Sequence, residues 1–273
     1  MDTKLKIGIV SLGLIGGSIF KALKKHDFEL FCVSSNQKTI DAVIKEGATA
    51  STDLNILKNC NVIFVCSPMR VTLDILDKLE GIISDKTIVT DVCSLKEFIC
   101  KKERPYIFIP SHPMAGKETS GFEVSCEDLF EDAKWVITPF ENTPQEDIEK
   151  LEEIIKLTGA NIVKTTPQKH DEAVALISHM PLVLSQALVE SVEDNDLAKA
   201  LASSGFRDMT RLSLSNTVMA QDMVELNNQN IQKAISLVFQ NSKGLLKTYN
   251  SSTVEYIKNL RKRIYSKDGK NIF

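Results

Sequence analysis

Residues 5–20 read L-K-I-G-I-V-S-L-G-L-I-G-G-S-I-F, and this stretch decides the fold class of the chain. The β-branched residues at its start predict a strand, the glycines predict a tight turn, and the apolar spacing that follows predicts a helix. This order is the context in which a glycine-rich turn binds a dinucleotide. Gly13 lets the backbone approach a pyrophosphate, and Gly16 lets the helix pack closely against the strand. The first N–H groups of the helix then face the phosphate.

Ser11 occupies the position at which the G-x-G-x-x-G pattern has its first glycine. Serine is less permissive than glycine wherever φ must be positive. A lone glycine-rich match is weak evidence, because a plain strand–helix turn has the same composition. Here the match lies on the first strand, and strands and helices alternate after it, so we interpret it as nucleotide binding. The predicted cofactor-binding turn comprises Ser11, Leu12, Gly13, Leu14, Ile15 and Gly16.

The end of the second predicted strand, residues 29–34, bears on the choice of cofactor. NAD-binding units usually carry an acidic residue there that bonds the adenine ribose, but this chain has Ser34, Ser35 and Asn36, with Lys38 close behind. The missing carboxylate removes a repulsion against a 2′-phosphate, and the lysine adds an attraction. The sequence therefore favours NADP over NAD. The alternatives are that a nearby acid takes the role or that the ribose is bound loosely.

Further apolar runs predict a parallel sheet followed by a helical region. The predicted strands cover residues 61–66, 87–92, 106–109, 135–139 and 161–165. Ser67 and Pro68 follow one of these strands, so we expect them to border the cofactor. From about residue 168 the pattern is helical almost throughout. We predict an α/β chain with an N-terminal Rossmann-type, doubly wound sheet domain over 1–166 and an all-helical C-terminal domain over 167–273.

The bulk properties exclude several classes of protein. The chain has 273 residues, 43% hydrophobic and 25% charged, with a net charge of −3, so it has no general affinity for nucleic acid or an anionic membrane. We see no apolar stretch that approaches bilayer length and no room for a signal peptide before the first strand. The six cysteines show no CxxC pair and no metal-ligand spacing. We expect a cytoplasmic protein with reduced thiols and no metal.

Three residues after the sheet strands are candidates for chemistry. His112 follows a buried strand, and a histidine at that edge is suited to act as a general base near neutral pH. The alternative is a histidine that only bonds a turn. Ser94 and Lys96 follow the preceding strand and open on the same crevice. Ser94 can bond a substrate hydroxyl. Lys96 can hold a carboxylate, although for the lysine alone a solvent-facing position is favoured.

The helical region adds two histidines and an arginine pair. His170 and His179 are nine residues apart, which places them on opposite faces of a regular helix unless Pro181 distorts it. The alternative for each is a histidine satisfied between helices, and we favour that alternative for His170. Arg207 and Arg211 interrupt the helical pattern. A guanidinium is the preferred partner of a substrate carboxylate, and the alternative is a pair of surface arginines.

Taken together, six segments resemble the prephenate/arogenate dehydrogenase family. In chain order they are S-L-G-L-I-G-G-S at 11–18, D-V-C-S-L-K at 91–96, S-H-P-M-A-G-K-E at 111–118, W-V-I-T-P at 135–139, H-D-E-A-V-A-L-I-S-H-M-P at 170–181 and G-F-R-D-M-T-R-L at 205–212. The resemblance implies a Rossmann domain and a helical domain that forms a homodimer. It also implies NAD(P)-dependent oxidative decarboxylation in tyrosine biosynthesis, from prephenate to 4-hydroxyphenylpyruvate or from arogenate to tyrosine.

The same resemblance implies a role for individual residues. His112 would take the proton of the ring hydroxyl, and Ser94 would bond that hydroxyl. His179 would line the substrate site, Arg211 would bind a substrate carboxylate, Glu118 would lie at the edge of the site, and His170 would be more peripheral. Ser11, Cys93 and Ser34 depart from the family pattern. Two other readings stay open: another Rossmann-plus-helices reductase, and a dinucleotide sensor without catalysis. The segments 111–116 and 205–211 argue against the reductase, and the joint presence of the site residues argues against the sensor.

Overall fold

A computed structural model describes residues 4–117, 119–266 and 270–271. Nine strands lie within these ranges. They are β1 Leu5–Val10, β2 Phe28–Val33, β3 Thr49–Ser51, β4 Val62–Val65, β5 Ile88–Asp91, β6 Ile107–Phe108, β7 Ser111–Pro113, β8 Lys134–Ile137 and β9 Asn161–Lys164.

The first six strands form one sheet, in the order β3-β2-β1-β4-β5-β6, and every neighbouring pair is parallel. This is the Rossmann strand order, so the predicted fold class is confirmed. The order reverses between β1 and β4, where Val10 pairs with Val33 on one side and Val65 on the other. Ligands of such sheets bind beyond the carboxyl ends of the strands at this reversal. The sheet therefore positions the glycine-rich turn after β1 at the ligand crevice.

A second sheet, in the order β7-β8-β9, carries His112. It is mixed, since β7 runs antiparallel to β8 while β8 and β9 are parallel. The sequence predicted β8 and β9 but no strand at 111–113, and it also missed β3. Both are only three residues long. Periodicity needs about four residues to indicate a strand, and Pro110 and Pro113 further mask β7.

Eleven α-helices complete the described ranges. They are α1 Leu14–Leu23, α2 Gln37–Lys45, α3 Met69–Leu79, α4 Gln145–Lys156, α5 Pro167–Val174, α6 Met180–Glu190, α7 Asp196–Leu201, α8 Ser204–Thr210, α9 Thr217–Leu226, α10 Asn228–Thr248 and α11 Ser251–Ile264. Gly47 ends α2 with a φ of +93°, a conformation in which glycine carries no steric cost. The seven helices after β9 form the predicted helical region, while the exact domain boundary at 166 stays a prediction.

Buried residues form two large apolar clusters around the main sheet. One contains Phe20 from α1 and Leu151 from α4. The other contains Leu76 from α3 together with Val174 and Met223 from the helical region. The helical region therefore packs against the sheet domain through a shared core, and residues from both regions can meet in one site.

The segment Pro167–Glu190 is continuous helix of 24 residues with a mean hydropathy of 1.5, long and apolar enough by length and composition to cross a membrane. Our expectation that no apolar stretch approaches that length was therefore wrong. Interior helices of globular domains meet the same criterion. This helix carries buried His170, Asp171 and His179, whose partners lie in neighbouring elements.

Candidate active site

The carboxyl ends of β1 and β2 border a cavity of about 240 Å³. Its lining combines the predicted glycine-rich turn after β1, the predicted cofactor-binding residues after β2 and a loop that the sequence did not single out. The lining residues are Ser11, Leu12, Gly13, Ser34, Ser35, Asn36, Thr39, Gly121, Phe122 and Glu123. Six of these ten residues are among the predicted cofactor-binding positions. The others, from Thr39 and the 121–123 loop, carried no signal in the sequence because loop packing is set by tertiary contacts.

The glycine-rich turn has the features that a pyrophosphate requires. No side chain caps the N-terminus of α1, so its first N–H groups remain available to a ligand. A Cβ added at Gly13 would meet nothing within 4 Å, so the backbone there faces open space. A Cβ added at Gly16 would lie 2.1 Å from the Ser11 carbonyl oxygen, so only glycine permits the close approach of α1 to β1. Leu14 and Ile15 belong to the first turn of α1.

The second corner of the cavity is built around the start of α2. The Asn36 side chain accepts hydrogen bonds from the backbone N–H groups of Lys38 and Thr39, at 2.9 and 3.4 Å. The Ser34 hydroxyl accepts from the Asn36 N–H at 3.2 Å and keeps its own proton to donate. Lys38 is exposed and does not line the cavity. Glu123 lines it, so an acidic side chain does stand at this corner.

His112 lies on β7 and contacts a histidine of the helical region. Its Nδ1 is 2.9 Å from Nε2 of His170, and the two rings meet edge to face with centroids 5.1 Å apart. His170 in turn has its Nδ1 2.7 Å from Oδ1 of Asp171. Both helical residues are 3% exposed. His170 is therefore part of the site, contrary to our preference for a histidine satisfied between helices.

For two neutral rings, these contacts assign the nitrogen that carries the proton. A carboxylate only accepts hydrogen bonds, so His170 donates Nδ1–H to Asp171. The Nε2 of neutral His170 is then an acceptor, so His112 donates its Nδ1–H to it. This assignment leaves Nε2 of His112 with a free lone pair. The ring of His112 is thus oriented through two residues of the helical region, His170 and Asp171.

Burial keeps the rings of His112 and His179 neutral. The pKa of His112 is held well below its ordinary value, mainly by desolvation, with further contributions from His170, Lys96 and His179. Burial also lowers the pKa of His179 to about 4, against a smaller opposing effect of Asp171. At neutral pH His112 is therefore unprotonated and able to accept a proton.

A π-helical turn at Ala175–His179 brings His179 to the same region as His170. An i→i+5 turn takes in one extra residue, so the nine-residue spacing behaves like about eight, or about 80° instead of about 180°. The helix is thus distorted just before Pro181, which is the exception that the sequence left open to a placement of the two histidines on opposite faces. His179 is 1% exposed, and its Nδ1 accepts a hydrogen bond of 3.1 Å from Asn227 Nδ2.

Lys96 lies in the interior, with 0% exposure, so the solvent-facing position that we favoured was wrong. Its Nζ donates to Asp91 Oδ2 at 2.5 Å and to the Ser111 carbonyl oxygen. Asp91 is also fully buried, so this is a completely desolvated ion pair. A lysine held this way supports β7 next to His112. We therefore no longer assign Lys96 to a substrate carboxylate.

The remaining predicted residues are placed as follows. The Ser94 hydroxyl is partly exposed and lies 3.5 Å from the sulfur of Met69, the first residue of α3. Ser67 bonds Ser11 across the strand ends, and Pro68 is the N-cap of α3. Arg211 is exposed and begins a 3₁₀ turn, Arg211–Leu214, that packs on α6. Glu118 lies outside the described residues.

Asp171 and Asn227 are site residues that sequence reasoning missed. Asp171 accepts the backbone N–H groups of Lys96 and Glu97 at 2.8 and 2.9 Å, which ties the helical region to the loop after β5. Asn227 Nδ2 also bonds the Asp171 carbonyl oxygen at 2.9 Å. The adjacency of Asp171 to His170 was a usable signal. Nothing in the sequence around Asn227 distinguishes it from the other asparagines nearby.

Family comparisons agree with this geometry. Residues 19–164 match the family described as prephenate dehydrogenase, nucleotide-binding domain, and residues 166–263 match prephenate dehydrogenase, dimerization domain. Over 245 residues the chain is 32% identical to prephenate dehydrogenase of Bacillus subtilis. That match covers 84% of this chain and 65% of the Bacillus protein, so the chain spans about two thirds of that relative's length.

Solved structures give the same result. The structure of Synechocystis arogenate dehydrogenase is 34% identical with a TM-score of 0.81, covering 94% of this chain and 96% of that one. Prephenate dehydrogenase from A. aeolicus, in complex with hydroxyphenyl propionate and NAD+, is 26% identical with a TM-score of 0.80, covering 95% and 96%. The resemblance seen in the six sequence segments is thus confirmed. Since the two family matches include both the sheet and the helical region, the chain belongs to the prephenate dehydrogenase family.

Proposed function

We propose that this protein is an NAD(P)-dependent prephenate dehydrogenase that converts prephenate to 4-hydroxyphenylpyruvate. The observation that carries the proposal is the hydrogen-bond chain from Asp171 through His170 to His112. That chain leaves an oriented, unprotonated imidazole nitrogen next to a dinucleotide-binding fold. Oxidation of a ring alcohol requires a base of this kind, because the hydroxyl loses its proton as hydride departs from the carbon that bears the hydroxyl.

The residues of the chain divide the work of this reaction. Nε2 of His112 accepts the proton of the ring hydroxyl, and the Ser94 hydroxyl bonds the same oxygen. Arg211 binds a carboxylate of the substrate, and His179 lines the substrate side of the site. Loss of CO2 then restores an aromatic ring, which makes the conversion effectively irreversible. The protein supplies one base and the positioning of the reactants.

The cavity at the glycine-rich turn suits a nicotinamide dinucleotide. The uncapped start of α1 and the open space over Gly13 fit a pyrophosphate, and the hydroxyl of Ser34 fits the adenosine end. Ser11, Ser35, Asn36, Ser67 and Pro68 complete this proposed site. The cofactor, when bound, supplies the hydride acceptor.

The decisive experiment measures initial rates with prephenate and each of NAD+ and NADP+, following reduced cofactor at 340 nm. We expect turnover in the wild type and a loss of about 100-fold or more in kcat for His112→Asn, with a much smaller change in KM. Replacement of exposed His26 by Asn is the matched control and should leave both constants unchanged. Absence of turnover with either cofactor, or an unchanged kcat in His112→Asn, would contradict the proposal.

Arogenate is the second candidate substrate, since the Synechocystis relative that aligns over nearly the whole chain is an arogenate dehydrogenase. Prephenate and arogenate differ in a keto or amino side chain, so the same base and cofactor serve both. Parallel assays with the two substrates give the ratio of kcat/KM. A higher value for arogenate would reverse our assignment of the substrate without changing the reaction.

We further propose that NADP is preferred to NAD. Ser34 stands where NAD-binding folds carry an acid, and Lys38 lies in the first turn of α2 near that corner. Glu123, on the same cavity, opposes this preference. Replacing Lys38 by Gln should raise the KM for NADP+ and leave that for NAD+ unchanged, while Glu123→Gln should favour NADP+ further. A wild-type preference for NAD+ would assign the ribose-binding role to Glu123.

We propose that the helical region forms a homodimer and that the enzyme acts in the cytoplasm, where its six unpaired cysteines stay reduced. Large apolar side chains of this region are exposed to a degree that a monomer seldom tolerates: Leu201, Leu214, Phe239, Leu246 and Tyr249. Light scattering at micromolar concentration should give twice the chain mass, and Leu246→Glu should weaken the dimer. A wild-type monomer would contradict the proposal.

A further inference from the structure

Ser11 has a φ of +69°, although it is not a glycine. Within the described residues, the other non-glycine with positive φ is Asp132. This region of backbone space costs an L-residue free energy that glycine avoids. Ser11 also occupies the position of the first glycine in the dinucleotide pattern. A residue held in an unfavourable conformation at a binding site is grounds for a functional hypothesis.

The Ser11 side chain connects the two strands between which the sheet order reverses. Its Oγ lies 2.7 Å from Oγ of Ser67, so the residues after β1 and β4 are joined across the crevice. The Ser11 N–H donates to the Val33 carbonyl oxygen at 2.8 Å, which fixes the turn against β2. Ser11 lines the same cavity as Gly13, while Ser67 is buried. The hydroxyl pair therefore lies where a dinucleotide crosses the sheet.

Counting donors shows what this pair can bind. Each hydroxyl has one proton, and the contact between them uses one. Ser67 is buried and does not line the cavity, so the arrangement that serves a ligand has Ser67 donating to Ser11 and leaves the Ser11 O–H free to donate. A pyrophosphate oxygen only accepts hydrogen bonds, so it matches this remaining donor, and a hydrogen bond to a charged group is worth more than a neutral one.

We propose that the Ser11–Ser67 hydroxyl pair donates a hydrogen bond to the pyrophosphate of the cofactor, and that Ser11 keeps its unfavourable φ for the sake of this contact. The inference rests on the dinucleotide cofactor of the proposed function. It predicts that glycine and alanine at this position both weaken the complex, while the free glycine variant is more stable than the alanine variant. A serine with only a structural role would not separate these two effects.

Two variants of the full-length protein test the proposal, with ADP-ribose as the probe because it carries the pyrophosphate without the nicotinamide. Calorimetric titration should show about tenfold weaker binding of ADP-ribose to both Ser11→Gly and Ser11→Ala. Without ligand, Ser11→Gly should melt about 2 °C higher than Ser11→Ala, because both variants lose the contact to Ser67 and only alanine keeps the cost of the positive φ.

Asp132→Gly is the matched control, since Asp132 also has positive φ but does not line the cavity. It should change the melting temperature and leave ADP-ribose binding unchanged. Wild-type affinity in Ser11→Ala would overturn the hydroxyl contact. If Ser11→Gly binds ADP-ribose weakly and Ser11→Ala does not, backbone flexibility explains the loss of affinity, and the hydroxyl contact is again overturned. If the wild type binds neither ADP-ribose nor NADP+, the proposed cofactor fails as well, so the two failures are distinguishable.

Discussion

Protonation of His179 should make the folded protein less stable in mild acid. The ring is 1% exposed and bonded to Asn227, and burial lowers its pKa from 6.5 to about 4. The unfolded chain therefore binds a proton that the folded chain excludes. A depressed pKa of this kind gives stability that is present above pH 6.5 and lost progressively as the pH falls toward 4.

The size of the effect follows from the two pKa values. Between pH 7 and pH 5, a shift from 6.5 to about 4 removes about 2 kcal/mol of unfolding free energy. Replacing His179 by Gln removes this titration. The variant is expected to lose about 2 kcal/mol less than the wild type over the same pH interval, whatever its stability at pH 7.

Urea unfolding at pH 7, 6 and 5 measures the difference, at fixed protein concentration because a dimer would make stability concentration-dependent. Far-ultraviolet circular dichroism reports the helices. Fluorescence of Trp135, the single tryptophan and fully buried, reports the sheet domain. Coincidence of the two transitions supports a two-state treatment. His26→Gln, at an exposed position, should keep the wild-type loss. If His179→Gln loses as much stability as the wild type, the buried neutral histidine does not explain the acid sensitivity.

Three further experiments test other parts of the site. His170→Leu removes the acceptor that orients the catalytic base, so kcat should fall by about tenfold or more and the acidic limb of its pH profile should move. Gly13→Ala should weaken cofactor binding with little change in melting temperature, whereas Gly16→Ala should lower the melting temperature because its Cβ collides with backbone. Lys96→Met should cost about 3 kcal/mol in urea unfolding, since it leaves Asp91 buried without a counter-ion, and simultaneous replacement of Asp91 by Asn should recover part of that loss. Each argument has a result that would contradict it. These results are an unchanged pH profile in His170→Leu, equal effects of Gly13→Ala and Gly16→Ala, and wild-type stability of Lys96→Met.

The sheet domain was largely predictable because its signals are local. Continuous apolar runs mark strands buried on both faces, and the glycine-rich turn fixes where the first helix begins. The structure moves predicted ends by a residue or two, as at β2, Phe28–Val33 against the predicted 29–34. What failed was short or set by tertiary contacts. β7 was missed because three residues containing a proline carry no period.

The candidate site was predictable residue by residue but not as an arrangement. His112 and His179 were found from residue type and position, but their relation was not. Pro181 signalled that the helix could be distorted, but the residues at 175–179 suit a regular helix and do not indicate a π turn. Lys96 was misjudged because composition favours an exposed lysine, and the fold supplies Asp91 from the preceding strand to hold it in the interior.

The helical region has a part in the chemistry that its sequence does not suggest. Asp171 accepts two backbone N–H groups of the loop after β5 and the ring proton of His170. Its carboxylate therefore holds the two regions together and also sets which nitrogen of His112 is free. A sheet domain alone would leave that ring with no defined partner for Nδ1, so its two neutral tautomers would compete. If His112 is the base that we propose, the contact that docks the helices is therefore also the one that orients this base.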